Sequence, residues 1–195
     1  MLNAIARAME EGRASDPAAA TKRLFDAAGR MSWLWRKIET NGKPWIAAIN
    51  GTCMGGATEL AMSCPARVAA NGKNVKIALP EVKIGIFPGA GGTQRMPRLI
   101  NSQDALQIMT TGQELSASRA KALGLLTEVV EPENLVSAAR ELLKKGVDPV
   151  APWDKKGFKL PEGPVYSAAG ANLWPPAIAT LRREPYGNYP AASAI

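Results

Sequence analysis

The chain has 195 residues, of which 46% are hydrophobic and 21% charged, so we expect one globular domain with a sizeable core. It contains no histidine, which excludes Ser-His-Asp and Cys-His nucleophile systems and every histidine-based metal site. The net charge of +7 favours an anionic partner, but the basic residues are scattered, so the sequence does not indicate nucleic-acid binding.

No apolar run approaches the ~18 residues that a membrane span needs. The stretch "MLNAIARAMEEGRASD" lacks a basic segment followed by an apolar one, so it predicts no signal peptide and we expect a cytoplasmic protein. Cys53 and Cys64 have neither the spacing of zinc ligands nor the density of a disulfide framework. We therefore expect both to be reduced and buried, and we predict no metal site.

The first predicted helix runs from Pro17 to Thr40. Asp16 before Pro17 is typical of a helix start, and Asn41-Gly42 is typical of a helix end. Apolar side chains at spacings of three and four form one stripe, which predicts a face packed on the core: Phe25, Ala28, Met31, Trp35 and Ile38.

The stretch "WIAAIN" at 45–50 predicts a buried strand that ends at Gly51. A short helix follows from Ala57 to Ser63, and Pro65 ends it. Two short strands, "ARVAA" and "VKIAL", come next, and the turn Asn71-Gly72 between them predicts a hairpin.

A loop rich in glycine and proline then leads to a short helix, followed by predicted helices at 102–110 and 116–123, the second of them capped by Ser116. The stretch "TEVVEP" predicts a strand, and the residues from 132 to 146 predict a helix. Beyond residue 147 the chain is rich in Pro, Gly and aromatic residues, and only "PPAIATLRRE" has a helical pattern. This order of elements predicts an α/β domain at residues 1–146 and a C-terminal arm or linker at 147–195.

Two segments carry candidate chemistry. Gly55 and Gly56 precede a helix whose first turn contains Glu59, so unshielded N–H groups at the positive end of the helix lie near a carboxylate. Backbone N–H groups so placed can stabilise an oxyanion. Glu81 follows Pro80 and is a second carboxylate that could converge on the same substrate, so that one activates water and the other delivers a proton.

From spacing alone, other interpretations stay open. A glutamate in a short helix is most often a solvated residue or an ion-pair partner. The segment "PGAGGTQR" lacks the Gly-Lys-Ser/Thr of a P-loop and the G-x-G-x-x-G pattern of a dinucleotide site, and a tight turn explains it as well. These patterns alone predict an α/β protein that could contain a two-carboxylate site.

Three ordered blocks resemble the enoyl-CoA hydratase (crotonase) family: "KPWIAAINGTCMGGATELAMSCPARVAA", "LPEVKIGIFPGAGGTQRMPRLI" and "LSASRAKALGLLTEVVEP". The arm from residue 152 is similar to the segment that joins the hydratase part of multifunctional fatty-acid oxidation enzymes to their 3-hydroxyacyl-CoA dehydrogenase part. The resemblance implies a ClpP-like spiral of β-β-α units, an acyl-CoA substrate, no metal or redox cofactor, and a homo-oligomer.

The resemblance also implies roles for individual residues. Glu59 and Glu81 correspond to the glutamate pair that adds water across the 2,3-double bond of an enoyl-CoA. Gly56 corresponds to the oxyanion-hole glycine, Gly55 lies beside it as a substrate-binding residue, and Gly89 corresponds to a glycine near the water site.

The chain differs from the family at its start, and it stops at Ile195 where the multifunctional enzymes continue into their dehydrogenase part, so we expect a chain truncated at both ends. The start "MLNAIARAM" resembles the helix that comes after the family's early strands and its second oxyanion-hole loop, so we expect the N-terminal strands to be missing. The resemblance therefore leaves a second interpretation, a truncated, non-catalytic protein that binds a partner subunit or coenzyme A. Enoyl-CoA isomerisation and the RNA binding of some relatives are further alternatives.

Overall fold

The structure is a computed structural model that describes residues 16–183 and 189–195. The predicted similarity of "MLNAIARAM" to a family helix lies outside the described residues. Among the described residues, no helix combines the length and apolar character needed to cross a membrane. Cys53 and Cys64 are free thiols and both are buried, as predicted.

The first helix, α1, spans Pro17–Thr40 as predicted, and the Asp16 side chain accepts hydrogen bonds from two N–H groups in its first turn. The predicted apolar stripe is wrong in its first half, because Phe25 is 67% exposed. The buried residues of α1 are Trp35 and Glu39, both in the last two turns, so only the C-terminal end of this helix packs on the core.

The next segment contains four strands, which form two parallel pairs in two different sheets. Strand β1 (Ile46–Ile49) and strand β2 (Thr52–Met54) lead into helix α2 (Gly56–Met62), and strands β3 (Ala66–Ala70) and β4 (Lys76–Ala78) repeat the same order. β1 pairs with β3 in one sheet, and β2 pairs with β4 in another.

The predicted hairpin between β3 and β4 is therefore wrong. Both strands exist, and the bend at Asn71-Gly72 links two different sheets rather than two paired strands. The consecutive strands β1 and β2 form one turn of a spiral, and β3 and β4 form the next. The strands of the two turns pair in parallel, which confirms the predicted β-β-α spiral.

The remaining elements complete both sheets and cover them. Strand β5 (Leu115–Ser116) pairs antiparallel with β4, and strand β6 (Glu128–Val130) pairs parallel with β3. The helices are α3 (Gly92–Leu99), α4 (Ser102–Thr111), α5 (Ala117–Ala122), α6 (Leu135–Lys144), α7 (Ala168–Arg183) and α8 (Pro190–Ala194). Ser116 caps α5 by accepting a hydrogen bond from the Arg119 N–H, as predicted.

The main core lies between the two sheets and helices α2 to α6. Its fully buried members come from strands, loops and helices alike: Met62, Val68, Ile77, Leu79, Met96, Ala105 and Leu125. Helix α7 is longer than the predicted "PPAIATLRRE" segment, and it contains Pro175 and Pro176. The end of that predicted segment lies outside the described residues.

Candidate active site

Helix α2 is fixed to the ends of two parallel strands. The Thr58 hydroxyl lies 2.7 Å from the Cys53 carbonyl oxygen in β2 and 2.9 Å from the Ala78 carbonyl oxygen in β4, and it donates to them. The Gly55 N–H donates to the same Ala78 oxygen at 3.0 Å. These bonds hold the first turn of α2, and with it Glu59, at one edge of the second sheet.

The Glu59 side chain points inward and is 3% exposed. Its Oε1 accepts hydrogen bonds from the Ala90 N–H at 2.9 Å and from the Gly92 N–H at 2.8 Å. Within the described part of the chain, its other oxygen accepts no hydrogen bond. Glu59 is thus clamped through one carboxylate oxygen, and the second oxygen remains available to a ligand.

The clamp is formed by residues 88–92, called the glycine loop below. Gly91 has a φ of +106°, and a Cβ there would lie 2.0 Å from a terminal nitrogen of Arg95. A Cβ on Gly92 would lie 2.7 Å from the Cβ of Pro88 and 3.0 Å from Glu59 Oε1. Both glycines are therefore required by the close approach of the loop to its neighbours.

Glu81 begins a 3-10 turn that spans Glu81–Ile84 and ends at Gly85, whose φ is +78°. The side chain is buried, and its Oε2 has no hydrogen-bond partner among the residues that the structure describes. A Cβ added to Gly55 would lie 3.1 Å from Glu81 Oε1, so the glycine leaves the space that this carboxylate occupies. A buried carboxylate oxygen without a partner is costly and marks a place for a proton, a water molecule or a ligand.

The two carboxylates have unlike electrostatic surroundings. Burial raises the pKa of Glu59, but the N–H groups of Gly92 and Ala90 and the positive charge of Arg95 oppose that rise. Burial also raises the pKa of Glu81; its own backbone N–H opposes the rise, and the nearby Glu59 charge adds to it. The surroundings thus favour ionised Glu59 beside protonated Glu81 when a single proton is shared.

The three glycines proposed from the sequence differ in their positions. Gly55 lies against Glu81, as described above. Gly56 is exposed at the first position of α2, with open space where a Cβ would point, and helix geometry leaves its N–H without a partner in its own helix. Gly89 is exposed at the outer side of the glycine loop, where a Cβ would meet only the Phe87 carbonyl oxygen at 3.8 Å.

Two buried charged residues beside the site were missed by the sequence reasoning. Arg95 and Glu39 are 6% and 4% exposed, and Arg95 Nε donates to Glu39 Oε1 at 2.5 Å. The spacing of Glu39 from Trp35, four residues along α1, was a signal that both occupy the buried face. No local signal pairs Glu39 with a residue that lies 56 positions away.

Across the described ranges 16–183 and 189–195, no three His, Cys, Asp or Glu side chains cluster in a way that could hold a metal ion. The polar groups at the site are two carboxylates, backbone N–H groups and the Arg95 guanidinium.

Comparisons with known proteins identify a family and several relatives. Residues 18–151 match the family described as Enoyl-CoA hydratase/isomerase. The chain is 38% identical over 160 residues to the fatty acid oxidation complex subunit alpha of Shewanella loihica, and 39% identical over 163 residues to that of Idiomarina loihiensis. These alignments cover 81% and 83% of this chain but only 22% and 23% of the relatives, so the chain spans less than a quarter of their length.

A solved structure shows the same fold. The enoyl-CoA hydratase of Bacillus anthracis superposes with a TM-score of 0.60 at 36% sequence identity. The superposition covers 70% of this chain and 51% of that one.

Proposed function

The chain belongs to the enoyl-CoA hydratase/isomerase family, and from this premise we propose that it catalyses the reversible hydration of a 2-enoyl-CoA to a 3-hydroxyacyl-CoA. One observation carries the proposal: two buried glutamates with unlike surroundings meet beside the open first turn of α2. Acid–base catalysis of hydration needs such a pair, in which one carboxylate is ionised and acts as the general base and the other is protonated and acts as the general acid.

The unlike surroundings suggest a role for each carboxylate. Ionised Glu59 takes a proton from water through its free oxygen while the hydroxide oxygen bonds to C3 of the enoyl group. Electron density moves onto the thioester oxygen, which the Gly56 N–H stabilises as an enolate. Protonated Glu81 then delivers its proton to C2, and proton exchange between the glutamates and solvent restores the starting state.

Apolar side chains offer a surface for the acyl chain. Ile84 is 67% exposed and Phe87 is 45% exposed, and both lie on the segment that joins Glu81 to the glycine loop. Large exposed apolar residues next to a polar site are typical of a ligand groove. The positive net charge would favour the phosphate groups of coenzyme A.

The proposal is tested by the loss of enoyl-thioester absorbance with a short 2-enoyl-CoA. We expect turnover by the wild-type chain, and a loss of about 100- to 10,000-fold in Glu59→Gln and in Glu81→Gln, the range that general acid–base groups contribute. Glu114→Gln is the matched control, because Glu114 is an exposed glutamate paired with Lys76. A folded wild-type chain without turnover would contradict the proposal and favour the non-catalytic interpretation.

Enoyl-CoA isomerisation is the second candidate. It needs a carboxylate that carries one proton between two carbon atoms, and Glu81 has a buried oxygen, unpartnered within the described part of the chain, that suits this role. A 3-enoyl-CoA would then be converted to the conjugated 2-enoyl-CoA with a gain of absorbance. Retention of this reaction in Glu59→Gln, with loss of hydration, would identify Glu81 as sufficient for isomerisation.

Several further expectations remain proposals. We propose a cytoplasmic homo-oligomer that uses no metal or redox cofactor, in which residues 1–146 form the catalytic domain and residues 147–195 an arm. Light scattering on the purified chain tests the oligomer. A cut at residue 146, followed by a check of folding and turnover, tests the domain division.

A further inference from the structure

The backbone of Ala90 is held on both sides of its Cα atom. Its N–H donates to Glu59 Oε1 at 2.9 Å, and its carbonyl oxygen accepts a hydrogen bond from Arg95 at 2.9 Å. The Arg95 guanidinium also lies against the backbone of Gly91, where any Cβ would collide with it. Arg95 therefore fixes the Ala90–Gly91 peptide group, which lies in the chain between the two peptide groups whose N–H groups bind Glu59.

The Arg95 charge needs a partner because the side chain is 6% exposed. Glu39 at the end of α1 supplies it, with 2.5 Å between Arg95 Nε and Glu39 Oε1. The second oxygen of Glu39 accepts from Arg36 at 2.9 Å, and Arg36 pairs in turn with Asp154 at 2.7 Å. A row of alternating charges thus connects the arm that follows α6 to Glu59.

The charged and titratable groups around Glu59 and its ion pair come from several elements. They are Arg95 in α3, Glu81 in the 3-10 turn, Glu39 and Arg36 in α1, and the thiols of Cys53 and Cys64. Burial raises the pKa of both thiols, so they are neutral near pH 7. Arg95 is the cation whose charge lowers the pKa of Glu59, and Glu39 is the anion that balances Arg95.

We propose that Arg95, held by Glu39, is a positioning residue for Glu59: it fixes the Ala90–Gly91 peptide group between the two N–H donors and places a buried positive charge near the Glu59 carboxylate. The inference rests on the proposed function for its kinetic consequence only. Its electrostatic consequence concerns the Glu59 carboxylate itself and can be measured without turnover.

The two members of the ion pair have opposite effects on Glu59. Arg95→Met removes the positive charge and the donor to Ala90, so Glu59 should titrate at higher pH. Glu39→Gln removes a negative charge behind Arg95 while it leaves the cation in place, so Glu59 should titrate at lower pH. If the Arg95–Glu39 pair were purely structural, both variants would be less stable than the wild type, but the pKa of Glu59 would not shift in opposite directions in the two variants.

The experiment measures the carbon-13 carboxyl titration of Glu59, assigned by its loss in Glu59→Gln, together with the pH profile of hydration. We expect Arg95→Met to lower kcat by about 10- to 100-fold, the range seen for residues that orient metal ligands in the same indirect way, with little change in KM. The acid limb of the pH profile of hydration should move to higher pH in Arg95→Met. Arg98→Met is the matched control, because Arg98 is on the same helix and binds Gln94 instead.

A second variant guards against a misfolded Arg95→Met. Arg95→Lys keeps the charge but not the planar fork, so kcat should fall while the Glu59 titration stays near that of the wild type. Equal titrations in Arg95→Met and Arg98→Met, or shifts of the same sign in Arg95→Met and Glu39→Gln, would overturn the inference. An inactive wild type would overturn the hydratase proposal, whereas the Glu59 titrations would still decide the role of Arg95.

Discussion

The surroundings of Glu59 and Glu81 differ although both side chains are glutamates buried at the same site. Glu59 has two N–H donors on one oxygen and a buried arginine nearby. Glu81 has an oxygen without a partner among residues 16–183 and 189–195, and the charge of Glu59 lies close by. The first environment is built for an anion, and the second favours a neutral acid.

The comparison shows how one residue type can supply both a base and an acid. The difference comes from the backbone around each side chain, since the glycine loop presents its N–H groups to Glu59 and presents none to Glu81. Changes to that backbone or to its anchors should therefore affect the two carboxylates unequally.

The largest effect is expected when both carboxylates are removed, because this tests whether the two glutamates act together. If Glu59 and Glu81 act as one acid–base pair, the double variant with Gln at both positions should lose about as much turnover as the more damaging single variant. The hydration assay measures this directly. Losses that multiply would show two independent contributions instead of a pair.

Gly92→Ala tests the clamp on Glu59 alone. The added Cβ would collide with Pro88 and Glu59 Oε1, so we expect lower turnover and a loss of about 1–3 kcal/mol in the free energy of unfolding. Urea unfolding measures the stability. Gly89→Ala is the stability control, because its Cβ has only one ordinary contact; equal stability of the two variants would contradict this account of the loop.

Thr58 affects the positions of both glutamates, because it holds the turn that contains Glu59 and also Gly55, which lies against Glu81. Thr58→Val keeps the volume but leaves the Cys53 carbonyl without its donor, which should cost about 1–2 kcal/mol and lower turnover. Thr58→Ser keeps the hydroxyl and should retain more turnover than Thr58→Val. The reverse order in the hydration assay would show that shape, not the hydrogen bond, positions α2.

The smallest expected effect concerns the pH dependence of stability. Burial raises the pKa of Glu81 above its usual 4.5, so between 4.5 and the raised value the folded chain binds more protons than the unfolded chain. This contribution to stability is present below pH 4.5 and is lost as the pH rises through the raised pKa. Glu81→Gln should remove that loss of stability, so its free energy of unfolding at neutral pH should equal or exceed that of the wild type.

Urea unfolding of both proteins between pH 4 and 8 measures this difference. A Glu81→Gln chain that is less stable than the wild type at pH 7 would show that Glu81 is favourably paired there.

The sequence predicted most elements whose signals are local. Helix α1 and the cap of α5 at Ser116 follow from capping residues close in the chain. Glu59 and Glu81 were singled out by the glycines and proline beside them and by resemblance to a family. The pairing of β3 and β4 was mispredicted, because a turn signal such as Asn71-Gly72 does not reveal which sheet each flanking strand joins.

The supporting charges of the site could not be predicted in the same way. Arg95 and Glu39 are buried only because each neutralises the other across a long separation in sequence. Charged residues are expected at the surface unless a partner is known, and the partner here is defined by the fold. The exposure of Phe25 has the same origin, since periodicity indicates a face but not how far the core extends along it.

The most direct test of the central claim is a carbon-13 carboxyl titration of the wild-type chain, with Glu59 and Glu81 assigned by their Gln variants. The unlike surroundings predict two separate transitions, with Glu59 losing its proton at lower pH than Glu81. A single shared transition, or Glu81 ionising first, would contradict the assignment of one base and one acid.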